Sequence, residues 1–286
     1  MPELPEVETI CRALKQQIIN CQIKKLIIRK DSLRWKINDQ LANILPNKII
    51  KTIQRRAKYL LINCIDTNTV SCGHLIIHLG MSGKIIILPE NSLNYNNINK
   101  HDHVDIMLHN NTIIRYHDPR RFGAILWTTE DPYKHFLLHH LGPEPFDTTF
   151  SSEYLFKKAH NKLLPIKQFI MDHKIVVGIG NIYANEALFA AKINPLCITK
   201  NLNLIQFDNL IKSIKIILTT AIAKGGTTLK DFYNINGEPG YFAQTLQVYG
   251  RSNKPCLICK TILSKINIAQ RSTFFCNTCQ PTSQNL

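Results

Sequence analysis

The hydrophobic residues near the start of the chain recur with the period of a helix. A stripe of apolar side chains three or four positions apart is typical of a helix that buries one face. The spacing predicts a helix from about Pro5 to Gln17. Its buried stripe is expected to consist of Val7, Ile10, Cys11 and Leu14.

The charged and proline residues around this helix start are only partly explained by the helix itself. Pro5 suits the first helical position, where its missing N–H is not needed. Glu6 and Glu8 are expected in the first turn, where negative charge suits the helix dipole. Pro2 and Glu3 have no role in this local signal.

From about Cys21 to Trp127 the pattern changes to short alternating or apolar runs separated by Asn, Asp, Gly and Pro. Such runs predict strands, and many short strands in succession favour an antiparallel sandwich or barrel over a parallel sheet. The predicted strands lie in CQIKKLIIR, YLLINCI, HLIIHLGMSGKIIIL, HVDIMLH, NTIIRYH and AILWTT. The Asn-rich stretch 91–100 is expected to be a mobile surface loop.

Beyond LGPEPFDTTF at 141–150, the pattern becomes helical. Ser151 or Ser152 is expected to cap the first of these helices. The last helix is predicted to end at Gly225–Gly226, as helices commonly do at glycine. The predicted helical segments are SSEYLFKKAH, LPIKQFIMD, NIYANEALFAAKI and FDNLIKSIKIILTTAIAKGG. The chain is therefore expected to be a multidomain α+β protein with three parts, 1–143, 144–245 and 246–286.

The net charge and hydropathy of the chain limit the classes of protein to which it can belong. The 286-residue chain has a formal net charge of +15, and 44% of its residues are hydrophobic. No apolar run has the length of a membrane span, and the acidic N-terminus is unlike a signal peptide. A basic, cytoplasmic protein is therefore expected, with nucleic acid as its first candidate partner. After Glu238 there are no acidic residues, whereas five basic residues follow: Arg251, Lys254, Lys260, Lys265 and Arg271.

Four of the nine cysteines form the strongest chemical signal. Cys256 and Cys259 form one Cys-x2-Cys pair, and Cys276 and Cys279 form a second pair, with sixteen residues between the two pairs. Two close pairs of thiolates make a closed tetrahedral site, which structural Zn²⁺ prefers. The sequence therefore predicts one structural zinc ion. The other five cysteines are scattered through apolar stretches and are expected to be small buried residues.

Two basic or glycine-rich segments indicate phosphate contacts. The run AQRSTFF before Cys276 is expected to form a hairpin that presents Arg271, either as a solvated charge or, as the acid-free surroundings favour, as a phosphate contact. Gly178 and Gly180 lead into a predicted helix at Asn181. Glycine before a helix N-terminus suits phosphate binding, but an ordinary helix–helix turn explains the same residues equally well.

Arginine, phenylalanine and methionine mark two turns between the predicted strands. RYHDPRRFG places Arg120 beside Phe122, and HLGMSG places Met81 between glycines. Side chains of this kind on a turn can enter a DNA groove and hold unstacked bases apart. Taken singly, Phe122 and Met81 are more typical of core positions. Lys58, taken alone, is a strand-edge lysine that discourages edge pairing.

Together these motifs closely resemble the bacterial formamidopyrimidine-DNA glycosylase family, whose members are also 8-oxoguanine-DNA glycosylase/AP lyases. The resemblance covers essentially the whole chain in order. It rests on MPELPEVETI, RRAKYLL, IIHLGMSG, KHDHVDI, RYHDPRRFGA, LGPEP, MDHKIVVGIGNIYANE and AQRSTFFCNTCQ. It implies an N-terminal catalytic β-sandwich, a helical helix–two-turn–helix domain and a zinc finger, acting as a monomer on damaged duplex DNA near the bacterial nucleoid.

The resemblance also implies roles for particular residues. Pro2, exposed as an N-terminal secondary amine after removal of Met1, would be the nucleophile. Glu3 would donate a proton to the sugar oxygen, and Glu6 would orient the amine. The implied catalytic set is Pro2, Glu3, Glu6, Lys58 and Arg271. The implied DNA-binding set is Lys58, His78, Met81, Arg120, Phe122, Asn181 and Arg271, in which Arg120 binds the base opposite the lesion.

The resemblance also bears on one loop and on one departure from the family pattern. The loop from about Gly226 to Tyr241 is implied to close over the lesion base. His117 stands where family members usually have Thr or Asn, and is expected to be tolerated.

Two other interpretations of the sequence remain. The sister endonuclease VIII group shares the fold and the proline chemistry but prefers oxidised pyrimidines. Leu4 and the Arg120–Phe122 turn favour the purine enzyme. A non-catalytic zinc-containing DNA-binding protein explains the charge and the cysteines, but leaves Pro2 and Glu3 without a role.

Overall fold

The computed structural model describes residues 2–67, 70–92, 95, 97–227 and 242–282. The chain divides into two compact units, Met1–His139 with Gly225–Tyr241 and His140–Lys224 with Phe242–Leu286. The division after His139 comes just before the proline-containing stretch 141–150. The predicted three-part limits, which treat the cysteine module as a separate part, stay a prediction.

The first unit is built mainly from strands. Its two helices are α1 (Leu4–Ile18) and α2 (Leu41–Ile44). Its strands are β1 (Ile23–Ile28), β2 (Ile49–Arg56), β3 (Tyr59–Ile65), β4 (Ser71–His78), β5 (Lys84–Pro89), β6 (Asp102–Leu108), β7 (Thr112–His117) and β8 (Ala124–Thr128).

These eight strands form two antiparallel four-stranded sheets, ordered β1-β6-β7-β5 and β2-β3-β4-β8. Apolar side chains of both sheets, such as Val104 from one and Leu60 from the other, belong to a single buried cluster. Helix α1 adds its own apolar face, including Leu14, to that cluster. The predicted leading helix and antiparallel β-sandwich are therefore confirmed.

Helix α1 differs from the prediction in two details. Pro5 is its second residue, because the helix begins at Leu4 with Glu3 as its N-cap. Glu8 lies beyond the first turn, so its predicted interaction with the helix dipole is wrong. The Glu8 carboxylate instead bonds Arg12 on the next turn and Arg55 on β2, each at 2.8 Å.

Strand β2 was not among the predicted strands. Its pairing with β3 shifts register between Ile50 and Thr52. A bulge of this kind places an extra residue in one strand and breaks the two-residue alternation that identifies strands in sequence. The predicted Asn-rich loop at 91–100 lies partly outside the described residues.

The second unit combines helices with a small zinc-ribbon hairpin. Its helices are α3 (Ser152–Ala159), α4 (Ile166–Met171), α5 (Asn181–Ala190) and α6 (Leu204–Ala223), and its hairpin strands are β9 (Ser264–Ile268) and β10 (Arg271–Phe275). Ser151 caps α3 by accepting a hydrogen bond from the Tyr154 N–H, as predicted. Helix α6 ends just before Gly225, whose φ of +73° is the left-handed conformation expected after a helix.

Buried polar side chains join the hairpin and its cysteine module to α5 and to the residues just after it. Asn185 accepts a 2.7 Å hydrogen bond from the Phe274 N–H, and Gln280 donates to the Ile193 carbonyl at 2.8 Å. Glu186, only 3% exposed, accepts hydrogen bonds from three successive N–H groups at 247–249. The cysteine module is therefore fixed to the helical part of this unit by specific hydrogen bonds.

Within the described residues, no helix combines the length and the apolar composition that a membrane crossing requires.

A buried ion pair links two strands of the first sheet. Asp105 on β6 is fully buried, and both its carboxylate oxygens accept hydrogen bonds from Arg115 on β7 at 2.9 Å. Arg29 also donates to Asp105 at 2.6 Å. Burial alone raises the pKa of Asp105, but the hydrogen bonds from Arg115 and Arg29 outweigh it and hold the pKa below its usual value.

We expect Asp105→Asn to lower the free energy of unfolding by about 3 kcal/mol, because the buried Arg115 guanidinium would lose its two-point carboxylate partner and keep the longer contact with Asp102, at 3.4 Å. The wild-type contribution of Asp105 is present above the unfolded pKa of about 3.9 and is lost as pH falls through the lower folded pKa. Urea unfolding between pH 7 and pH 3 measures both effects.

Asp39→Asn is the matched control, since Asp39 pairs with Lys36 at an exposed site. It should change stability little. Equal stability of the two variants at pH 7 would contradict the assigned importance of the buried pair.

Candidate functional site

The N-terminal turn is buried, although chain ends are usually the most mobile part of a domain. Pro2 is buried and Glu3 is 2% exposed. Glu3 and Glu6 form a capping box at the start of α1, in which the Glu3 N–H donates to Glu6 Oε2 at 2.7 Å. Glutamate is not among the side chains favoured at an N-cap, so helix capping alone does not account for Glu3.

The other oxygen of Glu6 binds a segment 221 residues away in the chain. Glu6 Oε1 accepts hydrogen bonds from both the N–H and the hydroxyl of Thr227, each at 2.8 Å. Gly226 allows this approach, because a Cβ at that position would lie 2.9 Å from Glu6 Oε1. No local sequence pattern indicates this contact. The remainder of the predicted lesion-closing loop, 228–241, lies outside the described residues.

Two neighbouring turns carry Met81, Arg120 and Phe122, the side chains predicted to enter a DNA groove. Met81 is 39% exposed and Phe122 is 45% exposed, so the interpretation of each as a core residue is wrong. The Arg120 guanidinium carbon lies 4.7 Å from the centre of the Phe122 ring. Gly80 brings the turns together, since a Cβ there would lie 2.5 Å from the Phe122 backbone. The three side chains therefore form one exposed cationic and apolar surface.

Asp118 holds these turns together and was not among the predicted site residues. Fully buried, it accepts hydrogen bonds from the Ser82 hydroxyl at 2.7 Å and the Gly123 N–H at 2.9 Å. The Arg120 N–H also reaches the Asp118 carboxylate at 3.3 Å. The signal available in the sequence was the Asp-Pro pair at the start of the turn, because aspartate commonly bonds the backbone of the turn it begins.

Lys58 and His78 lie near each other in the first unit. Lys58 is in the turn between β2 and β3, and the half-buried His78 ends β4. Burial lowers the pKa of His78 to about 4, and the charges of Lys58 and Arg34 add to this effect. His78 Nδ1 accepts a hydrogen bond from the Gly80 N–H at 3.0 Å. The ring is therefore neutral near pH 7 with Nε2 as its donor, which suits an acceptor such as a phosphate oxygen.

In the second unit, the Asn181 side chain bonds the backbone next to Arg271. The Asn181 side chain donates to the Ser272 carbonyl oxygen at 2.9 Å. Lys167, only 1% exposed and not predicted from the sequence, donates to the same oxygen at 3.0 Å and to the Thr273 hydroxyl at 2.7 Å. These bonds fix the start of β10, from which Arg271 extends to solvent beside a cavity of about 330 Å³.

The four predicted zinc ligands converge. The Sγ atoms of Cys256, Cys259, Cys276 and Cys279 all lie within 4.8 Å of one another. Four sulfur donors in two pairs fit a closed structural zinc site.

The structure thus gathers the predicted residues in two groups. The first unit contains Pro2, Glu3, Glu6, Lys58, His78, Met81, Arg120 and Phe122. The second unit contains Asn181, Arg271 and the four cysteines. His117 is also in the first unit but is not one of the predicted site residues, and its Nδ1 bonds the Asp102 carboxylate at 2.7 Å.

Family models match three successive stretches of the chain. The formamidopyrimidine-DNA glycosylase N-terminal domain matches residues 1–125, and the formamidopyrimidine-DNA glycosylase H2TH domain matches residues 141–233. The zinc finger found in FPG and IleRS matches residues 253–282. The zinc-finger match and the cysteine geometry together support a structural zinc ion.

Individual relatives match over nearly the full length. The formamidopyrimidine-DNA glycosylase of Hydrogenovibrio crunogenus is 48% identical over 280 residues, which is 98% of this chain and 96% of the relative. The crystal structure of the MutM (Fpg) protein from Thermus thermophilus is 30% identical and has a TM-score of 0.85, and the match covers 99% of this chain and 100% of that one.

A variant of Lactococcus lactis Fpg in complex with Fapy-dG-containing DNA is 33% identical, with a TM-score of 0.88, and the match covers 98% of this chain and 100% of that one. The fold, the sequence motifs and the near-complete coverage of these matches all point to the same family. The chain belongs to the formamidopyrimidine-DNA glycosylase family.

Proposed function

We propose that this protein is a base-excision-repair DNA glycosylase and AP lyase that removes oxidised purines, such as 8-oxoguanine and formamidopyrimidines, from duplex DNA. The observation that carries the proposal is the buried N-terminal turn, where Glu3 lies next to Pro2. Glutamate is not a favoured N-cap residue, so a DNA-binding protein without catalytic activity explains this buried acid poorly. The Lactococcus lactis relative bound to Fapy-dG-containing DNA supports a purine lesion as substrate.

The proposed nucleophile is the secondary amine of Pro2 after removal of Met1. An α-amino group titrates near pH 8, far below a lysine near 10.4. A secondary amine is somewhat more basic than a primary one, so the proposal requires desolvation to keep the Pro2 amine unprotonated. The amine lone pair attacks C1′ of the damaged nucleotide, and the glycosidic bond breaks with its electron pair leaving on the base. The nitrogen loses its N–H proton after the attack, and the departing base gains one proton, so the charges balance.

Opening of the sugar ring then produces an iminium ion between Pro2 and C1′. The ring oxygen leaves C1′ with its electron pair and takes a proton, for which the Glu3 carboxyl is the proposed donor. The iminium withdraws electrons, so loss of a C2′ proton expels the 3′ phosphate, and a second elimination expels the 5′ phosphate. Water then hydrolyses the iminium and restores the amine.

Glu6 is proposed to position the Pro2 amine rather than to activate it. A carboxylate near an amine favours the protonated form, which is the wrong form for attack. The hydrogen bonds of Glu6 to the Glu3 N–H and to Thr227 instead fix the backbone that carries Pro2.

The remaining residues are proposed to hold the DNA. Lys58, His78, Asn181 and Arg271 would bind phosphates around the extruded nucleotide, with Lys58 and Arg271 completing the catalytic set. Met81, Arg120 and Phe122 would fill the space that it leaves, and Arg120 would bind the base opposite.

The structural zinc ion would keep the hairpin that carries Arg271 folded. One chain contains every proposed part, so we propose a monomer, working with the chromosomal DNA in the bacterial cytoplasm.

The first test is borohydride trapping with a duplex that carries one 8-oxoguanine opposite cytosine. We expect a covalent adduct that peptide mapping places on Pro2, because reduction converts the iminium into a stable amine. A parallel duplex with thymine glycol should react more slowly. Dominant activity on thymine glycol would favour the oxidised-pyrimidine enzyme, and lesion binding without any adduct would favour the non-catalytic protein.

Glu3→Gln should retain lesion binding and lose base excision by about 10²–10⁴-fold, the usual contribution of general acid–base catalysis. Glu8→Gln is the matched control, since it removes a carboxylate from the same helix that bonds only Arg12 and Arg55 in the described residues. Single-turnover excision assays measure both variants. Near wild-type excision by Glu3→Gln would remove Glu3 from the mechanism.

Arg271→Gln should weaken binding to duplexes of every sequence and reduce the slope of log affinity against log salt concentration by about 1. Lys212→Gln, which removes an exposed cation of the same unit that pairs with Asp208, is the control and should leave the slope unchanged. Fluorescence anisotropy at several salt concentrations gives the slopes. An unchanged slope for Arg271→Gln would show that Arg271 does not contact a phosphate.

A further inference from the structure

Thr227 occupies an unusual position relative to the N-terminal turn. Its side chain is only 3% exposed, and it lies at the end of the described part of the chain that follows α6. Both of its hydrogen-bond donors, the N–H and the hydroxyl, bind the same oxygen of Glu6 at 2.8 Å. The contact joins residues 221 positions apart in the chain, and no local helix or strand requires it.

The Glu6 carboxylate transmits this contact to the proposed nucleophile. Oε1 binds Thr227, and Oε2 binds the Glu3 N–H at 2.7 Å. That N–H belongs to the peptide unit whose carbonyl carbon is part of Pro2. Two hydrogen bonds on one oxygen fix the orientation of the carboxylate plane, and the other oxygen then fixes the peptide next to the Pro2 ring.

We infer that Thr227 is a positioning residue for the Pro2 nucleophile: its hydroxyl orients the Glu6 carboxylate, and that carboxylate holds the Pro2–Glu3 peptide in place. The inference rests on the proposed function and adds a residue that does not contact the reacting atoms. Gly226 permits this arrangement. A Cβ at that position would lie 2.9 Å from the carboxylate oxygen that Thr227 binds, which is too close for a side chain.

The mechanism requires such support because Pro2 is the end of the chain after removal of Met1. A nucleophile inside a helix or strand is held from both sides by neighbouring residues. A terminal residue is held from one side only, and a shift of the order of 1 Å in a reacting group can cost about 100-fold in rate. Hydrogen bonds to the adjacent peptide replace the missing neighbour.

The test uses Thr227→Val, which keeps the N–H bond and the shape of the side chain and removes only the hydroxyl. We expect single-turnover trapping of 8-oxoguanine DNA by borohydride to slow at least about tenfold, as expected for loss of a hydrogen bond to a carboxylate. The rates are compared at saturating enzyme, so that a change in lesion-DNA affinity does not enter the comparison. Thr227→Ser should restore most of the rate.

Thr199→Val is the matched control. Thr199 is fully buried and its hydroxyl donates to the Leu164 carbonyl at 2.7 Å, so this variant also loses one buried threonine hydrogen bond. It should lower the melting temperature about as much as Thr227→Val while leaving the trapping rate unchanged. The comparison separates positioning from a general loss of stability.

A double-mutant cycle with Glu6→Gln tests the route of the effect. If Thr227 acts through Glu6, the hydroxyl deletion should cost much less in the Glu6→Gln background than in the wild type. Fully additive losses would overturn the inference, as would a wild-type rate for Thr227→Val or an equally slow Thr227→Ser. An inactive wild-type protein would overturn the proposed function instead, so the two failures are distinguishable.

Discussion

The chemistry proposed for this protein depends on holding a chain terminus still. Backbone termini lack a neighbour on one side and normally fray, so a terminal amine is a poor reagent unless the fold restrains it. Here the restraint is the buried Glu6 carboxylate, which bonds the peptide next to Pro2 with one oxygen and Thr227 with the other. Burial makes these bonds stronger than they would be in water.

The β-sandwich supplies the rigid base for that restraint. Helix α1 packs its apolar face into the core shared by both sheets, so its first turn has a fixed position. The Asp105–Arg115 pair holds neighbouring strands of one sheet, and Asp118 ties the exposed turns to the same framework. In the second unit, buried polar bonds from α5 give the zinc-ribbon hairpin a comparable base.

Much of this arrangement was predictable from local patterns. The period of Val7, Ile10 and Leu14 predicted α1, and the cysteine spacing predicted the zinc site, because both signals depend on residues close in sequence. The bulge in β2 hid that strand by breaking its alternation. The Glu6–Thr227 contact joins distant residues, so no local pattern contains it. The exposure of Met81 and Phe122 was equally hidden, since the same residue types fill cores and surfaces.

The turns that carry Met81 and Phe122 show how the fold can separate its own stability from the proposed recognition of DNA. Asp118 and Gly80 hold the turns through backbone bonds and close backbone approach, while the Met81 and Phe122 side chains lie on the surface. Because neither side chain belongs to the buried core, substitutions at these two positions should disturb the interior less than substitutions of core residues. Under the proposed function, the same two positions can therefore vary and change which disturbed base pairs are probed.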